Sequence, residues 1–133
     1  MADIPKRVVI VEDEPDTAEM FAEMMRLAGF YVFKTYGGTP AISLISHEKP
    51  DAVVLDVMMP DLSGLEVVRF IRRDPRLSHI PVVIVSAKGL PSDVRDGLEA
   101  GASVYLTKPV AFQELNDAVS RVIQKTQGQT PTL

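Results

Sequence analysis

Four apolar runs in this chain of 133 residues end in side chains that can do chemistry. RVVIV (7–11) leads into Glu12 and Asp13, AVVL (52–55) into Asp56, PVVIV (81–85) into Ser86, and SVYLT (103–107) into Lys108-Pro109. Each group taken singly has an ordinary explanation. Carboxylates ahead of a helix are usually caps or partners of its dipole, and Asp56 could make an Asx-turn toward the loop that reaches Ser63. A lone strand-end serine is usually a cap, and a lone lysine is usually solvated. Convergence changes this, because the strand ends of one parallel sheet form a single edge, and ligand sites lie outside that edge.

Carboxylates crowded at one edge repel, so a proton or a cation has to accompany them. Oxygen-only ligands, with no cysteine and no histidine nearby, select a hard ion, Mg2+ first, held by few carboxylates and several waters. A metal with open water positions beside an aspartate suits phosphoryl transfer. It bridges phosphoryl oxygens and offsets their charge, while the aspartate attacks as nucleophile and becomes an aspartyl phosphate. Lys108 would then pair with the new dianion, and Ser86 would donate a hydrogen bond to it.

The elements that must position these groups alternate along the chain. Five β-branched runs, at 7–11, 31–35, 52–56, 81–86 and 103–107, predict strands, and the first, third and fourth are apolar throughout, as strands covered on both faces are. Between them, Pro15 to Ala28 predicts a helix with Thr17, Phe21, Met24, Met25 and Ala28 inward and Gly29 as its stop. Thr39-Pro40 opens a second, with threonine as cap, and Ser63 with Glu66 reads as a capping box before Leu65, Val68 and Ile71. Ser92 or Asp93 starts a fourth that Gly101 ends. The fifth runs from about Ala111 to Lys125, with Leu115, Ala118, Val119 and Val122 inward. Strict β-α alternation implies an α/β fold with a doubly wound parallel sheet and right-handed crossovers.

The totals bound the alternatives. An apolar fraction of 46% and a charged fraction of 24% are those of a globular protein with one core. No apolar run approaches the ~20 residues of a membrane span. The absence of cysteine rules out disulfides and thiolate metal sites and fits a reducing cytoplasm. A net charge of −4 argues against nucleic-acid binding by this domain. TQGQTPTL (126–133) reads as a polar C-terminal tail or the start of a linker after a domain spanning 1–125.

With these residues in place the chain resembles the receiver domain of two-component response regulators. The matching elements are VEDEP with Glu12-Asp13, LDVMMPDLSG with Asp56, Met59-Pro60 and Gly64, VSA with Ser86-Ala87, and YLTKP with Tyr105 and Lys108-Pro109. They cover residues 7 to about 125 in the family's order and spacing. The resemblance implies a flavodoxin-like (βα)5 sheet in the order 2-1-3-4-5, which a chemotaxis member of the family shows. It implies Asp56 as phosphoacceptor, Asp13 as direct Mg2+ ligand, Glu12 acting through water, and the Met58 backbone carbonyl as a further ligand. Ser86 takes the part of the switch hydroxyl, Tyr105 of the aromatic that turns inward behind it, and Lys108 of the phosphate-pairing lysine, with a cis Lys108-Pro109 bond. The implied partners are a sensor histidine kinase or phosphotransfer protein upstream, and downstream a protein or output domain meeting the face of the fourth helix, fifth strand and fifth helix. Met58 and Lys88 occupy the two positions that tune acyl-phosphate lifetime in the family, and neither offers a carboxylate or amide to orient water, so slow self-dephosphorylation is expected.

A phosphohydrolase with an aspartate nucleophile would need a second aspartate where Met58 stands. No G-x-G-x-x-G or P-loop is present for a nucleotide. The expected role is therefore a signalling switch, not an enzyme acting on other substrates. The polar tail suits either a stand-alone receiver or one followed by an output domain, and the start at Met1 leans toward the former. His47 and His79 read as surface residues, Met20, Met24 and Met25 as helix packing, and Arg69, Arg72 and Arg73 as a solvated helix face near Asp74.

Overall fold

In a computed structural model, which describes residues 4–128, strands and helices alternate five times. They are β1 (Arg7–Val11), α1 (Pro15–Leu27), β2 (Tyr31–Thr35), α2 (Gly38–Glu48), β3 (Ala52–Leu55), α3 (Gly64–Arg73), β4 (Val82–Ser86), α4 (Pro91–Ala100), β5 (Val104–Thr107) and α5 (Phe112–Gly128). Every strand pairing is parallel and the order is β2-β1-β3-β4-β5, the doubly wound flavodoxin-like order implied by the resemblance.

The continuous apolar runs are explained by two covered faces. Successive side chains of a strand point to opposite sides. In β1, Val8 and Ile10 meet Phe21 and Met25 of α1 and Leu115 and Val119 of α5, whereas Val9 and Val11 meet Ile45, Val68 and Ile71 of α2 and α3. All residues of β3 and β4 are buried.

Several helix starts differ from the sequence reading. The buried face of α1 is Ala18, Phe21, Ala22 and Met25, while Thr17, Met24 and Ala28 lie half-buried at its margins. Gly29, at φ +98°, does end the turn. The α2 helix begins at Gly38, ahead of Thr39, and takes its cap from elsewhere in the chain. Ser63 caps α3 by accepting from the Leu65 N–H (3.2 Å), but Glu66 pairs with Arg69 instead of closing the box. The α4 helix begins earlier than predicted, with proline in its first turn, and Asp93 accepts from the Leu90 N–H (3.1 Å). The α5 helix starts after Ala111 and continues past Lys125 to Gly128; of the predicted tail, residues 129–133 lie outside the described residues.

Arg72 is not a solvated partner of Arg69 and Arg73. It is half-buried, and it donates from Nε to the Gly101 carbonyl (2.8 Å) and from Nη1 to those of Ser78 (3.0 Å) and Ile80 (2.6 Å). It thereby ties the end of α4 to the loop before β4. Gly101, at φ +122°, leaves room for it, since a β-carbon there would lie 2.6 Å from Arg72 Cγ. Asp74 pairs with Arg76 (3.1 Å).

Gly64 shows how tightly α3 is set against the end of β3. A β-carbon at Gly64 would fall 2.1 Å from the Asp56 carbonyl oxygen and 2.8 Å from both Leu55 Cδ1 and Val57 Cα. Gly64→Ala gains about 1 kcal/mol of helix propensity at most. It forces the backbone of Asp56 aside, and overpacking of this kind costs about 1–3 kcal/mol or more. With backbone at 2.1 Å the cost lies toward the upper end of that range, and urea unfolding should show a net loss of about 1–2 kcal/mol.

Candidate functional site

The sheet ladder continues one residue past three of its strands. The Glu12 N–H donates to Thr35 O (3.1 Å), the Asp56 N–H to Val11 O (3.1 Å) and the Lys108 N–H to Ser86 O (2.9 Å). The backbone of each chemical residue is thus fixed by a strand neighbour before its side chain does anything. Asp56 sits 7% exposed, Glu12 3% and Ser86 not at all.

Lys108 joins the carboxylates. Its Nζ donates to Glu12 Oε1 (2.7 Å) and to Asp56 Oδ2 (2.8 Å), and lies 5.9 Å from the centre of the Phe21 ring. Burial raises the Glu12 carboxyl above its usual range, with the nearby Asp56 charge adding to the rise and Lys108 opposing it. Burial alone would lower the Lys108 ammonium, but its hydrogen bonds to Asp56 and Glu12 prevail and hold it above the ordinary lysine value. The other Asp56 oxygen, Oδ1, accepts from the Met58 N–H (3.1 Å). The Asx-turn weighed from the sequence therefore exists, and it serves to orient the carboxylate. The Lys108-Pro109 bond is cis.

Ser86 and Tyr105 meet at Lys88. The Ser86 Oγ accepts from the Lys88 N–H (3.2 Å), and the Tyr105 hydroxyl donates to the Lys88 carbonyl (2.6 Å). Burial raises the Tyr105 phenol above its ordinary value. Beside this loop a cleft lined by Val57, Met58, Met59, Pro60, Ser63 and Lys88 opens next to the end of β3. His47 and His79 are exposed, as expected.

Among the described residues no three carboxylate or histidine side chains stand ready as a metal cluster. Lys108 occupies one oxygen each of Glu12 and Asp56, and Asp13 is half-buried at the same edge. The donor set nevertheless fits a hard divalent cation. Three carboxylates against one ammonium leave a formal charge of −2, and every candidate ligand atom is oxygen.

The sequence reading missed Asp61. Its Oδ1 accepts from the Gly38 N–H (3.1 Å) and its Oδ2 from the Thr39 N–H (2.9 Å). The loop that follows Asp56 thus supplies the N-terminal cap of α2, in place of the predicted Thr39. These two amides hold the Asp61 carboxyl down at about 2. Gly37 and Gly38 make the approach possible: a β-carbon on Gly38 would lie 2.7 Å from Leu62 O, and one on Gly37 3.0 Å from Asp61 Oδ2. The PDLSG segment and the Gly37-Gly38 pair were the available signal, but a cap lent across 23 positions leaves no local pattern.

The sequence pattern of the response regulator receiver domain matches residues 8–120. The polar-differentiation response regulator DivK of Brucella anthropi is 32% identical over 116 residues, covering 87% of this chain and 94% of its own length. The phosphate regulon transcriptional regulatory protein PhoB of Pseudomonas aeruginosa is 35% identical over 123 residues, covering 92% of this chain. The chain spans only 54% of PhoB's length, and about half of several other relatives. Among solved structures, the receiver domain of Francisella response regulator 1452 superposes with a TM-score of 0.84 at 28% identity, over 91% of this chain and 98% of its own. The receiver domain of sensor histidine kinase PA1611 from Pseudomonas aeruginosa, solved with a magnesium ion coordinated in its active site cleft, gives 0.85 at 28%, over 91% and 99%.

Removing the ammonium tests the electrostatics. Lys108→Ala leaves Glu12 and Asp56 facing each other in a buried site, and stability at neutral pH should fall by about 2–3 kcal/mol, somewhat less than for a fully buried pair. The raised Glu12 carboxyl sets the sign of the pH dependence. A carboxyl whose folded value is raised favours folding when protonated, an advantage lost as pH rises through that value. The deficit of the variant should therefore shrink as pH falls into the range where Glu12 takes its proton, read from chemical denaturation across acid and neutral pH.

Proposed function

This chain belongs to the response regulator receiver domain family, and on that premise we propose that it accepts a phosphoryl group on Asp56 from a sensor histidine kinase or phosphotransfer protein. Receiver domains of two-component response regulators are signalling switches, and this one catalyses only its own phosphorylation and dephosphorylation. The observation that carries the reading is a single ammonium bridging two strand-end carboxylates, beside a fully buried serine hydroxyl.

The chain's own residues divide the work. Met58 N–H and Lys108 hold the two Asp56 oxygens, so the carboxylate is aimed before the donor arrives. A carboxylate oxygen attacks phosphorus, the bond from phosphorus to the donor nitrogen or oxygen breaks, and its electron pair leaves with the donor. Mg2+, held by Asp13, Asp56 and the Met58 carbonyl with Glu12 through water, would supply positive charge against the phosphoryl oxygens. Lys108 then turns from its carboxylates to the aspartyl phosphate. Ser86 donates its hydroxyl proton to the same group, and its movement is passed to Lys88, whose carbonyl accepts from the Tyr105 hydroxyl as the ring lies inward behind it.

Reversing a resting population from 1:99 to 99:1 takes about 5.5 kcal/mol, and hydrogen bonds to a charged group contribute about 1.5–3 kcal/mol each. Lys108, Ser86 and one backbone N–H together just reach it, so a partner that binds the switched form completes the shift. The surface for that partner is α4, β5 and α5, where Leu90 and Leu98 stand exposed. The partner is a separate protein or an output domain, and the domain itself contacts neither nucleic acid nor membrane. No helix among the described residues is long and apolar enough to cross a membrane, and a cytoplasmic site fits the composition.

Incubation with acetyl phosphate should add one phosphoryl group by intact mass, only with Mg2+ present, and Asp56→Asn should abolish the gain. A gain that survives in the variant would place the acceptor elsewhere. Met58→Asn, which puts a water-orienting amide beside Asp56, should shorten the lifetime of the adduct in the same assay; an unchanged lifetime would sink the expectation of slow self-dephosphorylation.

A further inference from the structure

Gly97 is buried within α4, where glycine is the poorest helix former after proline. Neither a turn nor an unusual backbone angle requires it there, for among the described glycines only Gly29 and Gly101 lie in the left-handed region. What requires it is the ring of Tyr105. A β-carbon on Gly97 would fall 2.6 Å from Tyr105 Cδ2 and 2.8 Å from Cε2, with Ile84 Cδ1 at 3.1 Å behind. The ring is thus laid directly on the helix backbone.

The two ends of the tyrosine are held by different things. Its ring rests on the bare turn at Gly97, and its hydroxyl reaches the Lys88 carbonyl (2.6 Å), whose residue is also held through its N–H by Ser86 Oγ (3.2 Å). The hydroxyl tether depends on the loop after β4. The ring seat depends on the absence of a carbon atom at Gly97, with the core cluster that includes Ile84 beside it.

We propose that Gly97 is the positioning residue that makes room for the inward, half-buried place of Tyr105, so that filling the seat drives the ring out onto the α4–β5 surface whatever the state of Asp56. The proposal rests on the receiver reading only for its consequence, namely that a partner meeting the exposed leucines of α4 would also read the position of this ring. Gly97 supplies the space for the inward ring, and Lys88, itself held by Ser86, supplies the tether for its hydroxyl.

The test needs no phosphodonor, so it stands whether or not Asp56 accepts phosphate. With 3-fluorotyrosine in place of tyrosine the protein gives three fluorine signals, from Tyr31, Tyr36 and Tyr105; Tyr105→Phe assigns the last. Gly97→Ala should move the Tyr105 signal toward that of solvent-exposed fluorotyrosine, leaving those of Tyr31 and Tyr36 in place, and it should do so equally in an Asp56→Asn background. In urea unfolding, Gly97→Ala should lower the midpoint when Tyr105 is present. It should raise the midpoint when Tyr105 is alanine, because the helix preference of alanine is then unopposed. A Tyr105 signal that stays put, or a loss of the same sign in both backgrounds, overturns the proposal. Should Gly97→Ala fail to fold, the double variant must recover folding; if it does not, the obstacle is not the ring and the proposal is equally overturned.

Discussion

Two carboxylates from neighbouring strands share one ammonium at the edge of a parallel sheet, and most of the structure follows from making that arrangement tolerable. Burying like charges is unfavourable, and a cation within hydrogen-bonding distance of both is what permits it. A lysine on a flexible stem could meet them in many ways, so its position depends on the backbone beneath it. The ladder bonds that run one residue beyond β1 and β3, and from Lys108 back to Ser86, settle that backbone. Here the sheet is a mounting for charges, and its apolar strands are long enough to hold the mount rigid.

The loop after Asp56 is held just as firmly, by a different means. Gly64 lets α3 close onto the Asp56 carbonyl, and Asp61 fastens the middle of the loop to the first amides of α2. Asp61 is thereby kept apart from the cluster of Glu12, Lys108 and Asp56. Its charge is committed to two backbone N–H groups, so the acidic edge consists of Glu12, Asp13 and Asp56. The helices α2 and α3 do more than cover the sheet: they decide which carboxylates are available.

The legibility of these features in the sequence follows the distance over which each is specified. Strands showed because β1, β3 and β4 are covered on both faces and leave unbroken apolar runs. The convergence of Glu12, Asp56, Ser86 and Lys108 showed because parallel topology forces strand ends together. Helix starts were less legible where the cap is not local: α2 takes Asp61 from another loop, and Glu66 prefers Arg69 to its own helix terminus. Arg72 looked solvated because its partners are three carbonyls, and carbonyls carry no signature in a sequence. Gly97 was unreadable for the opposite reason, since its partner is the space that a ring occupies.

The borrowed cap of α2 has a consequence for assembly. A short helix with no cap of its own nucleates poorly, and its first turn gains partners only when Asp61 arrives from 22 and 23 residues away. That loop is in place only after β3 has docked beside β1, which itself closes a loop of 44 residues. The second helix should therefore be a late element of folding, its N-terminus ordered by the segment that follows Asp56. In the finished protein the same dependence runs the other way. Disorder in the loop after Asp56 would fray α2 from its first turn, so the loop that shares a cleft with Lys88 also holds the start of α2.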